Sequence, residues 1–187
     1  MRLFVALKIP PDVRENLGEF LAVLRALSPQ PRWVRAENLH ITLKFIGEVQ
    51  TERLGDIRAA LSAVDSGPLI TLDFRGLGFF PNEKCPRVFW AGIEASANLA
   101  QLAIDVDRAL EKLGILPEKR PFSPHLTLAR FEPPGLTEKL RAAIRENAKR
   151  EFGFVAAKEF HLIESKLKPG GAEYTTAETF PFGVTEV

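Results

Sequence analysis

The chain carries one cysteine, Cys85, so no intrachain disulfide can form, and a reducing compartment suits it. It has almost no net charge. Twenty-five Lys and Arg stand against 24 Asp and Glu, which argues against tight, non-specific wrapping of long duplex nucleic acid. A local basic cleft remains compatible with that sum. Only three histidines are present, His40, His125 and His161. They are spread too widely for a zinc site, and no Cys-x-x-Cys or His-x-x-Glu-His pattern accompanies them. The phosphate-cradling Gly-x-x-x-x-Gly-Lys-Ser/Thr loop is also missing, so no nucleotide cofactor is implied. The opening apolar stretch is short and broken by Lys8 and Pro10, which fits neither a signal peptide nor a spanning segment. The expectation is a cytoplasmic protein with no membrane and no metal.

What is there is ordinary in bulk: 187 residues, 45% hydrophobic and 26% charged, enough for one domain with a real core. Residues 2–9 read as a buried strand. After Pro10, the spacing of Val13, Leu17, Phe20, Leu21 and Leu24 predicts a helix to about Leu27. A short strand at 32–35, a strand from Leu39 to Ile46, a helix from Glu52 to Val64 and a strand from Leu69 to Phe80 follow. Gly76 and Gly78 suggest a bulge or bend in that last strand. The second half runs in similar order: strand 87–94, helix 98–113, strand 125–131, and a helix to about Lys149 that Thr137 would cap. One or two strands over 152–168 and a last strand near 176–182 complete it.

His40-Ile41-Thr42-Leu43 matches His125-Leu126-Thr127-Leu128, about half a chain apart. This repeat predicts one bilobal α+β domain over 1–187, with approximate halves 1–84 and 85–187. Each half would supply an antiparallel sheet with helices outside, and a groove would lie between the lobes. Strand side chains alternate faces, so His40 and Thr42 share one face while Ile41 and Leu43 take the core side. The same holds for His125 and Thr127. Two imidazoles that titrate near neutrality form a general acid and base pair, and two hydroxyls suit the oxygens of a phosphodiester. A single His-x-Thr-x fits an exposed strand equally well; the pair of copies carries the argument.

These motifs resemble those of the two-histidine phosphoesterases, in particular the RNA 2′,3′-cyclic phosphodiesterases also called 2′-5′ RNA ligases. The resemblance rests on residues 2–7, 38–48, 122–130, 165–170 and Tyr174. It implies metal-independent hydrolysis of a terminal 2′,3′-cyclic phosphate of RNA to a 2′-phosphate, with His40 as proton donor to the leaving 3′-oxygen and His125 as proton acceptor from water. It also implies ligation of RNA ends through a 2′-5′ linkage, with a 5′-hydroxyl attacking in place of water. RNA carrying a cyclic phosphate end, tRNA fragments among them, is the partner it suggests, and a monomer is expected. The motifs alone do not divide the two roles, being nearly identical. A phosphoesterase of small cyclic nucleotides and an RNA-end binding module stay open as alternatives.

Other residues have two readings each. Lys44 shares parity with His40 and Thr42, which makes it a candidate phosphate contact or a solvated lysine. Arg130 resembles a family position, yet strict alternation sends it to the opposite face unless the strand bulges. Trp33 and Phe80 are candidates to stack on a base or to fill the core. Arg87 reads as a phosphate contact or a surface charge, and Tyr174 as groove lining or a buried ring.

Overall fold

A computed structural model describes residues 1–132 and 135–183. The strands are β1 (Arg2–Lys8), β2 (Arg32–Trp33), β3 (His40–Glu48), β4 (Ile70–Phe80), β5 (Val88–Ala95), β6 (His125–Arg130), β7 (Glu151–Ala157), β8 (Glu159–Lys168) and β9 (Gly171–Pro181). The helices are α1 (Pro11–Leu27), α2 (Leu54–Ser62), α3 (Asn98–Glu111) and α4 (Glu138–Glu146). The strands make two antiparallel sheets, ordered β3-β1-β8-β9 and β2-β6-β5-β4-β7. Helices cover them, and the fold is α+β and bilobal.

Local chemistry explains the helices. Proline at the first position of α1 needs no amide partner, and its five expected apolar residues are all buried. Each such side chain contributes roughly 1.5–3 kcal/mol by leaving water. Thr137 caps α4 by accepting from the Leu140 amide at 3.3 Å.

The order of elements repeats across the halves, but the sheets do not follow the halves. β4, from the first half, joins the sheet of β5 and β6, while β8 and β9, from the second, join the sheet of β1 and β3. The short β2 also crosses over to pair with β6. Helices cross as well: α1 packs on β7 and α3 on β3. Each lobe is therefore completed by strands from the other half. The bulge expected in β4 lies between Phe74 and Leu77, where Gly76 takes a φ of 76°. Gly78 serves another purpose: a Cβ there would overlap the Trp90 ring lying across it.

Candidate active site

The two motif strands meet where the sheets adjoin. β3 is the edge of its sheet and contacts β6 of the other. The chain itself ties them: Trp33 pairs with Ala129, the Val34 amide donates to the Leu128 carbonyl at 2.8 Å, and β3 begins six residues later.

In both strands the histidine and threonine are half-buried, and the residues between and after them are buried in the core. The His40 Nδ1 lies 2.7 Å from the Asn38 carbonyl oxygen, and the His125 Nδ1 lies 2.8 Å from that of Ser123. A carbonyl only accepts, so each Nδ1 carries a proton and donates it. Each Nε2 is then the working nitrogen, lone pair in the neutral ring and proton in the cation. The same hydrogen bond to residue i−2 in both lobes sets both tautomers alike.

Aromatic rings hold the imidazoles. Phe4 packs 4.7 Å from His40, and Tyr174 meets His40 edge-on at 5.2 Å. In the other lobe Phe80 meets His125 edge-on at 5.0 Å. Phe80 is thus positioned against a histidine. Burial lowers the His40 pKa below its ordinary value, with the Asn38 hydrogen bond acting in the opposite direction.

Lys44 requires a correction. The pairing of β1 with β3 slips between Val5 and Ala6, so Leu43 and Lys44 both turn inward. Lys44 is 2% exposed, its Nζ 2.6 Å from Asp107 and donating at 2.6 Å to the Leu116 carbonyl. It is a core ion pair with α3, away from the groove. β6 bulges at the matching place, between its partners Phe89 and Trp90. Leu128 and Ala129 both turn inward, which returns Arg130 to the face of His125 and Thr127. Its charge, with that of Arg2, draws the Tyr174 phenol pKa down against the larger rise caused by burial.

The same bulge brings Phe45 to the groove face. Its ring lies 6.1 Å from Phe4, which also touches His40. Strict alternation from His40 sends Phe45 inward. The signal that finds it is the repeat itself, extended two residues past the motif to set Phe45 against Arg130. Phe4 is hidden in an apolar run without periodicity.

Trp33 is partly buried, edge-on to Phe89, with its indole N–H donating to the Ser28 carbonyl at 2.8 Å. It belongs to the core. His161 is 3% exposed, bonded through Nδ1 to Thr179 Oγ1 at 3.1 Å, and burial beside Lys8 pushes its pKa down to about 4. It is neutral at physiological pH. Arg87 passes its backbone between Phe80 and Phe131 as a strand connector. Beside the groove opens a cleft of about 360 Å³ lined by Arg35, Asn38, Lys168 and Tyr174. Among the described residues no group of three or more His, Cys, Asp or Glu could hold a metal ion, and no helix is long and apolar enough to cross a membrane.

The sequence pattern of the family described as LigT like Phosphoesterase matches residues 7–90 and 93–174. The chain belongs to this phosphoesterase family. The LigT-like relatives include a protein named RNA 2′,3′-cyclic phosphodiesterase from Archaeoglobus fulgidus, 37% identical over 96% of this chain and 99% of its own. One of the same name from Thermus thermophilus is 37% identical over 96% and 89%. The crystal structure of the Thermus thermophilus protein TT0787 superposes with a TM-score of 0.81 at 33% identity, covering 97% of this chain and 98% of that one. E. coli LigT complexed with 3′-AMP gives 0.76 at 28% identity, covering 97% of each. This LigT-like phosphoesterase is a hydrolytic enzyme, and its two matched stretches each contain one His-x-Thr-x strand.

Proposed function

We propose that this enzyme hydrolyses the terminal 2′,3′-cyclic phosphate of RNA to a 2′-phosphomonoester, using His40 and His125 and no metal. One observation carries the reading: two imidazoles on adjoining strands, each held at Nδ1 by the carbonyl two residues back, each left with Nε2 for chemistry. The names of the relatives agree with it.

In this reading His125 Nε2 takes a proton from water as the water oxygen bonds to phosphorus. The bond from phosphorus to O3′ breaks, and His40 Nε2 gives its proton to that oxygen. One proton is gained and one given, and exchange with solvent resets the pair. Thr42 and Thr127 share the faces of their histidines and donate to the non-bridging oxygens, where charge gathers in the five-coordinate transition state. Arg130 adds a cation on that face. The phosphate anion also offsets the lowered His40 pKa once it lies against Nε2. With an RNA 5′-hydroxyl in place of water, the same course joins ends through a 2′-5′ linkage. As parts of the same reading, the enzyme works as a monomer in the cytoplasm, where exposed Cys85 stays reduced, on fragments such as those of tRNA.

The test is an RNA oligonucleotide ending in a 2′,3′-cyclic phosphate, incubated with enzyme and excess EDTA. The expected product is a 2′-phosphate end, formed at the same rate without chelator. A 3′-phosphate would reverse the assigned leaving group, and loss of turnover in EDTA would call for a metal.

A further inference from the structure

The hairpin of β8 and β9 turns near the Arg2 end of β1, where Arg2 pairs with Ser165 and, at the tip, Lys168 with Gly171. His40 enters β3 at the other end, opposite Lys8. Distance along the strands alone would keep the two apart. The twist of a four-stranded sheet, however, raises diagonally opposite corners over the same face. The hairpin tip therefore arches back over the groove face and docks on the segment that leads into His40. The Asn38 side-chain amide donates to the Ala172 carbonyl at 2.7 Å, and the Arg35 guanidinium donates to the Gly170 carbonyl at 2.5 Å.

Asn38 thus acts through both its backbone and its side chain. The carbonyl, at the close of a short 3₁₀ turn over Ala36–Asn38, accepts from the His40 Nδ1 at 2.7 Å. The side chain holds the strand that carries Tyr174, whose ring meets the same imidazole edge-on at 5.2 Å and Phe4 at 5.1 Å. In the other lobe the carbonyl that accepts from His125 belongs to exposed Ser123, and β8 and β9 are not part of that sheet.

We propose that Asn38 is a positioning residue for His40: by tying the β8–β9 hairpin across the groove face, its side chain fixes both its own carbonyl at Nδ1 and the Tyr174 ring beside the imidazole. The inference rests on the acid role that the cyclic phosphodiesterase reading gives His40. An acid that must meet O3′ as the bond to phosphorus breaks gains from a ring that neither turns nor changes tautomer.

The experiment compares the native enzyme with Asn38→Ala, Asn38→Leu and Arg35→Ala. Long-range proton–nitrogen NMR spectra, taken where the histidines are neutral, read the tautomer of each of the three imidazoles. Native His40 should show a protonated Nδ1 and a bare Nε2. Both Asn38 variants should move His40 toward a mixture of tautomers and leave His125 unchanged. Their kcat on a cyclic-ended oligonucleotide should fall by on the order of tenfold, with KM within about twofold, since alignment is lost and not binding. The limb of the pH profile on which the acid loses its proton should also move lower, because the Asn38 hydrogen bond opposes the effect of burial. Arg35→Ala cuts the outer bond alone and should behave as native. Asn38→Leu keeps the bulk of the side chain, and melting temperatures check that the variants fold. Unchanged His40 signals with native kcat in Asn38→Leu, or an equal change at His125, would overturn the inference. A native enzyme that turned over no cyclic ends would fell the reading that gives His40 its acid role, while the spectra would still decide whether Asn38 holds the ring.

Discussion

Replacing His40 or His125 with alanine is expected to lower kcat by on the order of a hundredfold to ten-thousandfold, the range that positioned acid–base groups supply. Without His40 the O3′ leaves as an alkoxide and must find its proton in water. Without His125 the attacking water keeps its proton until late in the reaction. Neither change should threaten the fold. Both rings are half-buried at the groove wall, and each loses a single hydrogen bond, to the carbonyl of half-buried Asn38 or of exposed Ser123. The double variant should be little slower than the worse single one, because the two act on a single step. Single-turnover rates on a cyclic-ended oligonucleotide check this, and activity within a few fold of native in either variant would contradict it.

Lys44→Ala is expected to give a large loss of stability. The ammonium is buried, and its partners are Asp107 at 2.6 Å, the Leu116 carbonyl at 2.6 Å and Glu118 at 3.8 Å. Removing one member of a buried pair strands the other, at about 3–5 kcal/mol. Asp107 retains some solvent and two contacts of 3.2 Å with the Glu118 amide, which favours the lower end. A loss of about 3 kcal/mol should lower the melting temperature by roughly 6–12 °C in a domain of this size. Thermal denaturation measures it. An unchanged melting temperature with a raised KM for the cyclic phosphate would return Lys44 to the groove.

That lysine also marks where the sequence stops being readable. Helix α1 is legible residue by residue because its apolar spacing is local, and the Thr137 cap because its side chain acts three residues away. The two motifs are legible as a repeat. Alternation then carries Lys44 to the wrong face and holds Arg130 off the right one, for one reason: a bulge changes parity, and it is set by the neighbouring strand's register, not by the bulged residues. The exchange of β4 with β8 and β9 between lobes is hidden for a related reason. Strand partnership over long separations leaves no local pattern, and either pairing would bury the same apolar faces. The early start of β9, at Gly171 and not near Thr176, follows from its hairpin with β8.

The central claim is that two imidazoles divide the acid and base work, and pH–rate profiles of kcat/KM for the native enzyme and both alanine variants test it most directly. The native profile should be bell-shaped, with apparent pKa values belonging to the pair, and burial, by lowering the His40 pKa, draws to lower pH the limb on which the acid loses its proton. Losing the acid should leave His40→Ala rising with pH to a plateau, as neutral His125 accumulates. Losing the base should leave His125→Ala level and then falling, as His40 gives up its proton. Opposite monotonic profiles would support the assignment. The same two profiles with their senses exchanged, or a full bell surviving in either variant, would contradict it.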